Sequence, residues 1–305
     1  RLTTSCLSPS INSSCPPNEA MIHNGRVITT NRRKARTFLQ HYASVSRLKF
    51  SKADRITNRH CKTALRQLAS DTEDGCQDFS LSELEVAINE MKTKGAAGPD
   101  DIPPTFLKAL GPIAKGFLLA IFNQSFREGI CPQAWMDATI IPLLKPGKPP
   151  SRLDSFRPIS LTSCIAKTME RMVAKRLYHL AENNGWIHAE QCGFRKLRSC
   201  EDQVLRFTQT VSDNLSAKPA KRTVAVLLDF SKAYDTVWRQ KLFISMVDTG
   251  VPLKLTKWVS GFLRNRQARV DIGGERCRCL PLRQGLPQGS VLAPLLFSFY
   301  INSLV

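Results

Sequence analysis

No long hydrophobic run occurs in the sequence. The longest apolar stretch, Val291–Val305, is interrupted by Pro294, Ser298, Asn302 and Ser303 and is shorter than the roughly 20 residues that span a bilayer, so no transmembrane helix and no membrane partner are expected. Acidic residues are scarce: 25 Asp and Glu stand against 44 Lys and Arg, a formal net charge of +19. A field of this sign favours phosphate polyanions through counterion release; an anionic lipid surface, an acidic protein or plain solubilising charge would satisfy it too. Paired cysteines are missing as well. The ten cysteines show no C-x-x-C spacing, and Cys277 and Cys279 merely alternate on a predicted strand, which does not suggest a metal site and predicts reduced thiols in an intracellular compartment. The chain opens on Arg1 without a signal peptide and reads as a piece of something longer. Repeats and heptads are absent too. What is present is 305 residues, 42% of them apolar, enough for a substantial core and too much for a disordered chain.

Residues 1–20 are rich in Ser, Pro and Asn and read as a linker. From Asn31 to Leu68 the chain is basic with sparse apolar residues, among them Phe38, Leu39, Leu48 and Leu65. This predicts a helical arm that either follows a nucleic-acid backbone or is a solvated face. Ser80 and Glu83 have capping-box spacing ahead of a helix ending by Gly95. Further amphipathic helices are predicted over Ile113–Arg127, closed by Gly129, and over Ile165–Asn184, closed by Gly185. Between them Ala138–Leu144 and Phe156–Leu161 form a β-hairpin around the cationic loop Lys145–Lys148. Ser199 and Asp202 open a helix to about Leu215, and helices follow from about Arg239 and Leu253. Gln267–Gly273 and Cys277–Leu282 are strands about a Gly-Gly turn, and Val291 onward is helical. Thr223–Leu228 (TVAVLL) is a continuous, largely β-branched run, which predicts a strand buried on both faces that delivers Asp229 to a sheet mouth.

Asp229 alone could be a helix N-cap as readily as a metal ligand. Gly285-Leu-Pro-Gln-Gly-Ser-Val-Leu-Ala-Pro294 is a glycine-flanked turn that allows close backbone approach to a ligand or simply turns the chain. Together with the Gly98-Pro-Asp-Asp-Ile-Pro103 segment, Phe156-Arg-Pro-Ile-Ser-Leu161 and Gln191-Cys-Gly-Phe-Arg195, which precede them along the chain, these motifs resemble, in order and spacing, the reverse transcriptase domain of non-LTR (LINE-type) retrotransposons from about Phe79 to Val305.

That resemblance implies an α+β, right-hand polymerase fold: a linker and basic extension over 1–78, helical fingers over 79–222, and an incomplete palm over 223–305, with the thumb absent. It implies addition of dNTPs to a primer 3′ hydroxyl by two-metal phosphoryl transfer, with two Mg²⁺ ions in the complete enzyme, an RNA template, a DNA primer or target, and a nuclear location. Asp229 matches the family's first metal-binding aspartate, with the Phe230 carbonyl as accessory ligand; core packing is the alternative for the Phe230 ring. Tyr234 matches the ribose gate, or is a buried aromatic. Gln288 and Gly289 match the nucleotide-contacting turn. Arg157 matches the triphosphate-gripping arginine, with Lys145 or Lys148 as a second cation. For Asp235 a salt bridge or cap is expected, and for Arg195 either template contact or packing. The family's aromatic-Ala-Asp-Asp motif does not occur in these 305 residues, and Asp100-Asp101 lies too early to replace it. Little polymerase activity is therefore expected from this chain by itself, and a nucleic-acid-binding remnant is the rival reading.

Overall fold

In a computed structural model of the chain, the structure describes residues 20–23, 25–68 and 76–304, without the side chains of 64–68. Nearly all of the expected 1–20 linker lies outside them. A short ribbon, β1 (Met21–His23) with β2 (Arg26–Ile28), leads into helices α1 (Asn31–Val45) and α2 (Lys52–Leu68). Then come α3 (Leu81–Asn89), α4 (Pro104–Lys108), α5 (Pro112–Glu128) and α6 (Gln133–Met136), strands β3 (Asp137–Leu144) and β4 (Phe156–Thr162), and helices α7 (Cys164–Asn183) and α8 (Cys200–Ser216). Helices α9 (Arg239–Asp248) and α10 (Leu253–Leu263), strands β5 (Gln267–Ile272), β6 (Glu275–Arg276) and β7 (Leu280–Pro281), and helix α11 (Ala293–Ile301) follow. The fold is a mixed helix-and-sheet one.

Local chemistry accounts for the helix ends. Ser80 and Glu83 form the expected capping box at α3, as Ser199 and Asp202 do at α8, each satisfying two of the donors a helix start leaves unpaired. Gly129 terminates α5 in the left-handed conformation. The hairpin forms as predicted, with β3 and β4 antiparallel from Ala138↔Thr162 to Leu144↔Phe156. Strand β5 runs parallel to β3 on its other side and pairs antiparallel with both β6 and β7.

Two apolar clusters hold these elements. The larger joins α3, α5, α7, α9, α10 and α11 around Phe122, Phe126, Trp258 and Phe262. Arg176 on α7 clamps α3 with a bidentate contact to Glu83 (2.7 and 2.8 Å), its guanidinium lying 3.9 Å above the Phe79 ring. The smaller cluster lies under α1, whose Phe38, Leu39 and Tyr42 bury against Ile140, Phe156, Ala268 and Val270 of the sheet. The basic stretch 31–45 is thus neither a free arm nor a wholly solvated face: Arg32, Arg33 and Arg36 point outward while an apolar stripe closes one side of the sheet.

One expectation is overturned. Thr223–Leu228 forms no strand, and Val224, Val226, Leu227 and Leu228 are 83, 79, 92 and 76% exposed. A strand buried on both faces needs a paired neighbour and a covering layer, and no described strand pairs with this run. Its start is tethered by Asn214 Nδ2 donating to Thr223 Oγ1 at 3.1 Å. Helix α8 beside it buries none of its residues and exposes Val204, Leu205, Phe207 and Leu215.

Candidate active site

The Gly285–Gly289 turn lies between β4 and the loop 234–237. Its backbone is bonded to both: Gly285 N donates to Val237 O (2.8 Å), Leu286 N to Tyr234 O (2.7 Å), and Ser160 N to Gln288 O (2.7 Å). The two glycines are needed for this close approach. At Gly285 (φ +84°) a Cβ would lie 2.5 Å from Asp235 O, and at Gly289 (φ +111°) 2.7 Å from Ser160 O, and both φ values disfavour any side chain. In this turn the glycines therefore admit the protein's own backbone.

Around the turn a cleft is lined by Pro158, Ser160, Asp235, Arg239, Arg266 and Gln288, among others. The Gln288 amide donates to Asp235 Oδ1 at 3.3 Å. Burial pushes the Asp235 carboxyl up from 3.8 to about 6, against the opposing pull of the Gln288 hydrogen bond and the charges of Lys232 and Lys145. No salt bridge forms at Asp235 among the described residues, so the expected ion pair is replaced by this amide contact. The Tyr234 ring is half-buried, stacked on Phe297 with centroids 5.2 Å apart and met edge-on by Phe194 at 6.3 Å. Lys145 donates from Nζ to Asp154 O at 2.8 Å, anchoring the start of the hairpin loop.

The remaining candidates lie outside this network. Asp229 is exposed, and among the described residues its carboxylate makes no hydrogen bond or ion pair; Phe230 beside it is half-exposed. Lys148 is exposed on the hairpin loop. Strand alternation puts Arg157 on the face of β4 opposite Pro158 and Ser160, exposed to solvent. Arg195 does not reach outward: it pairs bidentately with Glu182 (2.8 and 2.7 Å) and donates to the carbonyls of His188 and Gln191.

Sequence reasoning passed over the polar groups that hold the turn from behind. Glu170 on α7 is fully buried; its Oε2 accepts from Ser290 Oγ (2.5 Å), Val291 N (2.8 Å) and Leu292 N (3.3 Å), placing a carboxylate at the positive start of α11. The signal was legible, because Glu170 falls on the apolar stripe of α7 with Ala166, Val173 and Leu177. Arg239 is buried too, donating to the carbonyls of Gly285 (2.9 Å) and Leu263 (2.5 Å), and burial first, then the nearby Arg266 charge, pull its pKa down to about 9. No motif pointed to it.

Residues 143–305, more than half of the chain, match the family model described as reverse transcriptase (RNA-dependent DNA polymerase). Among curated proteins, the probable RNA-directed DNA polymerase from transposon BS of Drosophila melanogaster is 34% identical over 224 residues, covering 73% of this chain and 24% of the relative. The RNA-directed DNA polymerase from mobile element jockey of the same organism is 32% identical, over 74% of this chain and 24% of the relative. The putative 115 kDa protein in type-1 retrotransposable element R1DM is 26% identical, over 74% and 21%. The chain spans about a quarter of the length of these relatives. It belongs to the reverse transcriptase (RNA-dependent DNA polymerase) family, in the company of the non-LTR retrotransposon enzymes.

Proposed function

We propose that the chain is the fingers and part of the palm of a right-hand RNA-directed DNA polymerase that extends a DNA primer along an RNA template with dNTPs. The observation that carries this reading is the docking of the Pro-Gln-Gly turn against both β4 and the Tyr234–Val237 loop, in a chain whose relatives are named RNA-directed DNA polymerases. It brings a ring fit to bar a ribose 2′ hydroxyl, Tyr234, beside an amide fit to meet the nucleotide, Gln288.

Asp229 and the Phe230 carbonyl suit Mg²⁺, a hard cation that takes one or two carboxylates and completes its shell with water and substrate phosphate. The exposed Asp229 carboxylate is free to serve, while the described residues hold no group of three His, Cys, Asp or Glu able to bind an ion by themselves. Bound metal would neutralise charge on the reacting phosphates. Lys145 and Lys148 on the hairpin loop are suited to grip the triphosphate, whereas the same role for Arg157 rests on the family resemblance alone, since it lies on the face of β4 opposite the Gln288 cleft. For the template, α2 presents Lys52, Arg55, Arg59 and Lys62 in 3-4-3 spacing, all exposed and without ion pairs among the described residues; work on chromosomal DNA would require a nuclear location.

Primer extension on an RNA template with dNTPs and Mg²⁺ tests the reading, comparing this chain, a complete protein carrying it, and Asp229→Ala in that protein. Extension by the complete protein, abolished by Asp229→Ala, is expected. RNA binding with a steep salt dependence but no extension by any of them would leave the nucleic-acid-binding remnant instead.

A further inference from the structure

The turn backbone is fixed by bonds to β4 and to the 234–237 loop, but those bonds do not orient the Gln288 side chain, whose torsions offer several staggered wells. The amide's partner among the described residues is Asp235 Oδ1. Asp235 is part-buried in the cleft wall and makes no ion pair among the described residues, the charges of Lys232 and Lys145 acting on it only at a distance, and a part-buried carboxylate needs a hydrogen-bond donor to offset its lost hydration. A carboxylate can only accept hydrogen bonds, so the NH₂ end of the Gln288 amide must face it and the Oε1 end must face away. One Nε2 hydrogen and Oε1 are then left in a defined orientation for a ligand.

We propose that Asp235 is a positioning residue: it fixes the polarity of the Gln288 amide, so that the turn offers a set donor and acceptor to the incoming nucleotide. The inference rests on the reading of Gln288 as a nucleotide contact. Asn at position 235 keeps an acceptor but also offers a donor, so either amide polarity becomes possible; Ala removes the constraint altogether.

Steady-state primer extension by a complete protein carrying the chain tests this, with dNTP KM and kcat measured for wild type, Asp235→Ala, Asp235→Asn, Gln288→Ala and the Asp235→Ala/Gln288→Ala double variant. Asp235→Ala is expected to raise dNTP KM roughly tenfold with a much smaller change in kcat, the scale of one charge-assisted hydrogen bond. Asp235→Asn should fall between it and wild type, and the double variant should be no worse than Gln288→Ala, since Asp235 acts through that amide. An unchanged KM in Asp235→Ala while Gln288→Ala raises it, or additive effects in the double variant, would overturn the positioning role alone. If wild type does not extend primer, or Gln288→Ala leaves dNTP KM unchanged, the nucleotide reading falls and takes this inference with it. Should Asp235→Ala fail to fold, Asp235→Asn combined with Gln288→Ala supplies the same cycle, and additivity there counts against the role.

Discussion

Asp235 shows how far a single residue departs from what its sequence context suggests. A lone aspartate after an aromatic reads as a cap or ion-pair partner, yet the structure places it in a cleft wall where burial outweighs every stabilising contact and lifts its carboxyl from 3.8 to about 6. Between those values the native chain holds a proton that the unfolded chain has released, so stability falls as pH rises through about 4 to 6 and is level above. The shift corresponds to about 3 kcal/mol at about 1.4 kcal/mol per unit. Asp235→Asn removes the titration: unfolding free energies of variant and wild type from urea titrations should coincide near pH 4 and diverge in favour of the variant by up to that amount at neutral pH. Parallel profiles would show that the carboxyl titrates normally.

At the scale of elements, the stretch 31–68 was legible as one basic helical arm, but its division into α1 and α2 and their roles were not. Helix α1 carries Phe38, Leu39 and Tyr42 on one stripe and covers the sheet. Helix α2 faces α9, with the Trp238 indole donating to Asn58 Oδ1 at 3.0 Å, and turns its cations the other way. Replacing Lys52, Arg55, Arg59 and Lys62 together by Ala should therefore leave folding nearly intact, since exposed substitutions away from caps cost little. It should also lower the slope of log affinity against log salt for single-stranded RNA by about 0.7 for each phosphate that the stripe no longer neutralises. Filter binding at several salt concentrations reads this; an unchanged slope would mean that the stripe is only a solvated face.

Across the whole molecule, stability is spread unevenly. The β3–β4–β5 sheet is laddered throughout and has one face buried under α1, whereas 223–230 has neither ladder partners nor cover among the described residues. Amide hydrogen exchange should find 137–144 strongly protected and 223–230 exchanging near the rate of open chain. Strong protection of 223–230 in this chain would require pairing that the structure lacks. Four large apolar side chains lie uncovered within six residues of that run, which also makes it a segment prone to self-association.

The sequence by itself determined the elements whose cause is local: the capping boxes at Ser80 and Ser199, the left-handed stop at Gly129, the β3–β4 hairpin, and the motif order that marks a reverse transcriptase. Each follows from short-range periodicity, caps or turn chemistry, which residues a few positions apart decide. Tertiary structure alone decided what depends on neighbours distant in the chain. It left TVAVLL uncovered, because burial requires a partner and not merely apolar side chains. It set Asp235 against Gln288 and turned Arg157 to the opposite face of β4, because strand alternation and loop docking fix which side chains meet. It also buried Glu170 and Arg239 behind the turn, where a carboxylate and a guanidinium satisfy the backbone of a loop more than 40 residues away in sequence.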